Sequence, residues 1–189
     1  MKVEEPVFVT MRDGVRIACR IYRPDTPGKF PALFAASPYQ FETDDLPHST
    51  QFLWREGGVY NLLDKNEQQD YYECIEWVAR QEWCDGNVGG LGQSYYAWSQ
   101  WFMGIVNPPS LKCIAPYDGS VDMYRGTAYH GGMYCDFMPM WYQMIRVNNL
   151  QRAANGPGGQ YMPLDLAGEM AKHPTYDDWW RERCAWERL

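Results

Sequence analysis

A serine placed where a strand must turn straight into a helix is the feature that constrains this chain most. Residues 88–100 read VGGLGQSYYAWSQ. Asn87 to Leu91 reads as a short strand, and the pattern from Tyr95 to about Met103 is helical, so the chain reverses within Gly92-Gln93-Ser94. A turn that tight needs a small residue where strand and helix approach, and Gly92 supplies it. Oγ of Ser94 then projects from the sheet top. The Tyr95 N–H and the positive end of the helix point to where an oxyanion would form. This is the setting of a nucleophile elbow, although the usual G-x-S-x-G pattern is broken by Tyr96. Two other readings stay open. Ser94 could be a helix N-cap after a glycine-rich turn. A phosphate loop fits less well, since no Lys follows the glycines and G-x-G-x-x-G is not met.

The flanking patterns supply a sheet for this turn. Val7, Val9, Ile17, Cys19 and Ile21 alternate with polar residues around Asp13-Gly14, which predicts an N-terminal hairpin. The apolar run 30–37, FPALFAAS, and the run 111–115, LKCIA, predict strands buried on both faces. Tyr71, Cys74, Ile75 and Val78 predict an amphipathic helix over 66–81. Proline is absent from His48 to Asn107, where long helices can form. Strands alternating with helices predict an α/β fold with a parallel sheet. Beyond Asp118 the chain is rich in Met, Tyr and Trp, with helical stretches near 133–154 and 175–188 and no strand pattern. The domain expectation is therefore a core over 1–119 and a helical appendage over 120–189. Asn155-Gly156-Pro157-Gly158-Gly159 is the one loop-like cluster.

Composition excludes several classes. The 189 residues carry a net charge of −7, with no basic run to meet a nucleic-acid backbone. The 46% hydrophobic content is enough for a core. No apolar stretch approaches the roughly 20 residues a membrane span needs, and MKVEEPVFVT lacks an apolar signal region. Six scattered cysteines (Cys19, Cys74, Cys84, Cys113, Cys135, Cys184) form no C-x-x-C pair and predict reduced, mostly buried thiols in a cytoplasmic protein. His48, His130 and His173 are too scattered for an obvious metal site. The aromatic load, 16% of residues, reads mainly as core; Trp141, Tyr142 and Trp179 could line a pocket but fit core packing better.

Several stretches resemble the CocE/NonD hydrolases, which include cocaine-esterase-like and X-Pro dipeptidyl-peptidase-like serine hydrolases. These are MRDGVRIACRIYRP (11–24), Ser37-Pro38-Tyr39, IEWVARQEWCDGNVGGLGQSYYAWSQW (75–101), LKCIAP (111–116) and HPTYDDWWRER (173–183). The resemblance implies a partial α/β-hydrolase sheet with a helical cap segment, lacking the later sheet strands and the C-terminal β-sandwich. It implies Ser94 as nucleophile, with the Tyr95 backbone N–H and the Tyr39 hydroxyl as oxyanion-hole donors. Gln100 and Trp101 match helix positions with structural roles. The implied reaction is hydrolysis of a small ester, an amide or a short X-Pro peptide through an acyl-serine intermediate, with no cofactor and no metal.

The chain also departs from that family. The family's triad Asp and His lie downstream of the cap, beyond Trp186-Glu187-Arg188-Leu189. The expectation is a truncated form with weak or no activity alone. Asp118 and His130 stand in the right order for a local substitute, but over an unfavourably short path. A strand and loop of the family are also missing near residues 52–61, so the N-terminal hairpin is expected to join the rest poorly, without a ladder from 17–22 to 31–37. Two alternatives remain: a non-catalytic binding module, and a half-enzyme completed by a second chain or an oligomer.

Overall fold

The N-terminal hairpin forms as its alternation predicts. In the computed structural model, which describes residues 1–39, 54–56, 61–151 and 164–189, β1 (Lys2–Thr10) pairs antiparallel with β2 (Arg16–Arg23). The turn closes through Gly14 at φ 81°, where the Asp13 side chain also accepts from the Val15 N–H at 3.0 Å. On its other edge β2 pairs antiparallel with a short β4 (Trp54–Glu56).

A second sheet carries the serine turn. It has the order β3 (Phe30–Phe34), β5 (Cys84–Gln93), β6 (Leu111–Tyr117), all parallel. Helix α1 (Lys65–Ala79) enters β5 and α2 (Tyr95–Val106) leaves it. Tyr71, Cys74, Ile75 and Val78 are all buried, as the 3.6-residue period requires. Gln100, fully buried on α2, accepts from the Ala115 N–H at 3.0 Å and so ties that helix to β6.

As expected, no ladder runs from β2 to β3 among the described residues. A cavity lined by residues 19–24 and 30–35 lies between the two sheets, and side chains supply the join that exists. Val9, Met11 and Ile17 are buried in the common core. Arg12, at the hairpin tip, reaches Asp70 at 3.0 Å and Glu73 at 3.1 Å on α1.

Two other expectations are corrected. Neither β3 nor β6 is buried on both faces: α1 and α2 pack on the same side of the sheet, leaving Leu33, Leu91 and Tyr117 72%, 45% and 55% exposed on the other. An unbroken apolar run shows that a strand can be buried on both faces, not that both covers are present. The segment beyond 120 is not wholly helical either. After a π-helical turn at Tyr124–Ala128, β7 (Tyr129–His130) and β8 (Met133–Tyr134) form a small hairpin through Gly131 and Gly132, both at positive φ. Two-residue strands are too short to show a period of two in sequence. Helices α3 (Phe137–Gln151), α4 (Leu166–Lys172) and α5 (Asp178–Glu182) complete the segment. His48, the junction at 57–60 and the glycine cluster 155–159 lie outside the described residues.

The six cysteines form no disulfide, and Cys74, Cys84 and Cys184 are buried. Cys19 and Cys135 are half-buried and Cys113 is exposed, so burial is less general than expected.

Candidate active site

Ser94 stands at the end of β5, one residue before α2. Its backbone has φ 59° and ψ −123°, a conformation that non-glycine residues rarely adopt. Its side chain makes no capping hydrogen bond, so the helix-cap reading does not hold, while its carbonyl accepts from the Ala97 and Trp98 N–H groups at 2.9 and 3.0 Å. The turn depends on missing Cβ atoms. A Cβ on Gly92 would overlap the Cβ of Tyr96. Tyr96 therefore fits at the broken position because the glycine opposite makes room. Gly119, which sequence reasoning passed over, plays the same part from the other side: a Cβ there would overlap that of Ala97.

Ser94 is exposed and shares a cavity of about 740 Å³ with Tyr39, Gly92, Gln93, Tyr96 and Tyr117. Tyr39 packs edge-on against Tyr95 and Tyr96, with centroids 6.3 and 5.9 Å apart. Its hydroxyl accepts from the Trp141 indole N–H at 3.2 Å. A phenol hydroxyl that accepts one hydrogen bond is also able to donate one. Tyr95 begins α2, so its N–H is among the leading donors that the helix ladder cannot use. The structure thus brings Ser94, Tyr95 and Tyr39 to one place. Trp141 and Tyr142 are buried and Trp179 is half-buried, away from the cavity wall, in keeping with core packing.

Below the site lies a group that the sequence did not reveal. Glu67 is buried, and Tyr95 donates its hydroxyl to Glu67 Oε1 at 2.6 Å. Burial pushes this carboxyl up to about 7, against the donors from Tyr71, Tyr95 and Leu63 that pull it down, and the nearby Asp64 charge adds to the rise. On a helical wheel Glu67 reads as an ordinary first-turn acid, and only its spacing of four to Tyr71 hinted at a partner.

The histidines stand elsewhere. His130 is exposed, with Nε2 2.5 Å from the Gly126 carbonyl. His173 Nδ1 lies 2.6 Å from Asp177, and its ring stacks on Trp179 at 5.2 Å. Neither lines the cavity that holds Ser94. Asp118, at φ 54°, accepts from the Gln93 side chain at 3.0 Å. Among the described residues no group of His, Cys, Asp and Glu is arranged to hold a metal ion, and no helix is long and apolar enough to cross a membrane.

A parallel sheet whose central strand turns through a strained serine into a helix defines an α/β-hydrolase type of fold. The family model of the X-Pro dipeptidyl-peptidase (S15 family) matches residues 13–57 and 54–189, and the chain belongs to that family. Cocaine esterase of Rhodococcus sp. (strain MB1 Bresler) is 36% identical over 149 residues, covering 69% of this chain and 26% of that protein. The crystal structure of a CocE/NonD family hydrolase from Staphylococcus aureus superposes with a TM-score of 0.83 at 31% identity, covering 97% of this chain and 38% of that one. An aminopeptidase from a marine sediment Thaumarchaeota archaeon shares the fold, with a TM-score of 0.69 at 18% identity, covering 97% of this chain and 39% of that one. The chain thus spans about a quarter of the length of the curated relatives it matches.

Proposed function

We propose that this chain supplies the nucleophile and the oxyanion donors of a serine hydrolase acting on a small ester, an amide or an X-Pro peptide. One observation carries the reading: Ser94 holds a strained backbone conformation at the strand–helix junction with its side chain uncapped. In the reaction Ser94 Oγ adds to the substrate carbonyl carbon and gives its proton to a base. The carbonyl oxygen becomes an oxyanion beside the Tyr95 N–H and the Tyr39 hydroxyl. The bond to the leaving group then breaks, the leaving group takes a proton, and water releases the acyl-serine. No described histidine lines the cavity to serve as that base. An elbow with its oxyanion donors retains part of such catalysis even without a base. The chain alone is therefore expected to react slowly but selectively, and a complementing chain that brings a base would speed it. A fluorophosphonate probe with peptide mapping tests this. Selective modification of Ser94, absent in Ser94→Ala, supports the reading; a non-catalytic binding module would show no such preference.

A further inference from the structure

Glu67 is a buried charge that the acyl-transfer reaction does not use. Its Oε1 accepts the hydroxyls of Tyr71 at 2.5 Å and Tyr95 at 2.6 Å, and its Oε2 accepts the Leu63 N–H at 2.6 Å. Burying a carboxylate is costly unless donors surround it, so three aimed donors mark a built arrangement. The backbone is bent to make it: Leu62 and Leu63, both buried, sit at φ 53° and 55°. Glu67 is also anchored from behind, because the Asp64 carboxylate caps α1 by accepting the Glu67 N–H at 2.9 Å.

The Tyr95 ring carries this anchor to the site. It stacks on Trp141, with centroids 5.6 Å apart and an interplanar angle of 12°, and meets Tyr39 edge-on. Trp141 in turn donates to the Tyr39 hydroxyl. Building on the hydrolase reading above, we propose that Glu67 is a positioning residue. By holding the Tyr95 hydroxyl it fixes the Tyr95–Trp141–Tyr39 cluster, and so sets the Tyr95 N–H and the Tyr39 hydroxyl relative to Ser94.

Glu67 touches no substrate in this scheme. Its protonation changes the hold, because the oxygens lose their negative charge and accept more weakly from the two tyrosine hydroxyls and the Leu63 N–H. The titratable groups facing it are Asp64, Tyr71 and Tyr95. The charged groups on the neighbouring C-terminal segment are engaged with other atoms. Glu182 accepts the Lys65 N–H, Arg183 donates to the Asn61 carbonyl, and Arg188 donates to the Gln68 side chain.

Nuclear magnetic resonance on the labelled chain, from about pH 5 to about pH 9, tests the proposal across the range where such a carboxyl titrates. The Tyr95 amide and the Trp141 indole N–H should shift with the same midpoint as the Glu67 carboxyl. In Tyr95→Phe, which removes one hydroxyl and keeps the ring, the indole should stop following Glu67. An amide and indole that ignore Glu67, or an indole that still follows it in Tyr95→Phe, would overturn the proposal. A second arm reads the site itself. Glu67→Gln cannot satisfy both the tyrosine hydroxyls and the Leu63 N–H, so modification of Ser94 should slow about tenfold through lost positioning. An unchanged rate counts against the proposal. If the wild-type Ser94 takes no label, the hydrolase reading fails, while the resonances still judge the hold of Glu67 on Tyr95.

Discussion

Two single residues carry strain or charge that this fold maintains at a cost. Ser94 at φ 59° belongs to a region where a non-glycine residue costs about 1–3 kcal/mol. Ser94→Gly should therefore raise stability by about 1 kcal/mol while abolishing any modification at the site; a lower thermal midpoint would refute the strain. Glu67 acts through pH. Its carboxyl lies at about 7 in the folded chain and near 4.5 when exposed, so the folded state holds the extra proton between these values. Stability should be highest on the acid side of this window and fall by about 3 kcal/mol as pH rises through it. Asp122 and Asp177 act in the opposite sense, because both are held below their ordinary value of 3.8. Burial opposes that lowering in each case; the Arg125 N–H and side chain lower Asp122, and His173 lowers Asp177. Their contribution is lost only as pH falls through the acid range below that value. Denaturant midpoints measured across pH should show both limbs, and Glu67→Gln should flatten only the upper one.

Between elements, the joints rest on few atoms. The N-terminal hairpin is tied to α1 by Arg12, whose partner Asp70 is 1% exposed. Arg12→Ala leaves that carboxylate buried with its guanidinium gone, at a cost of about 2 kcal/mol once the partial exposure of Arg12 is allowed for. Hydrogen exchange should quicken in β1 and β2 before it does in β5. Gly92→Ala should cost about 2 kcal/mol or more, because its Cβ would meet the Cβ of Tyr96. Most of this layout was legible in the sequence. Period-two alternation located the hairpin, the 3.6-residue period located α1, and short apolar runs located the three parallel strands. The Ser94 turn was legible because a glycine and a serine at a strand–helix junction have few other uses. Arg12–Asp70 and Glu67–Tyr95 were not, because they join residues 58 and 28 positions apart through burial that no local pattern records. The open sheet face was misread for a related reason: apolar runs report what a strand can bury, while the cover is set by the rest of the molecule.

For the whole molecule, the main physical feature is that open face, where Leu33, Leu91 and Tyr117 are exposed. Leu33, at 72% exposure, makes little use of its apolar surface here. Leu33→Lys should change stability by less than about 0.5 kcal/mol while reducing dye binding and self-association, measured by fluorescence and light scattering. A large loss of stability would mean that the face is covered. Leu33, Leu91 and Tyr117 line the same cavity as Ser94 and Tyr39, so this face borders the proposed site, behind which the buried Glu67 holds the Tyr95 hydroxyl. The most direct test of this account is the distribution of a fluorophosphonate among the serines of the purified chain. Slow modification concentrated at Ser94 and lost in Ser94→Ala is the expected result. Modification spread evenly over exposed serines, or none at Ser94, would contradict it.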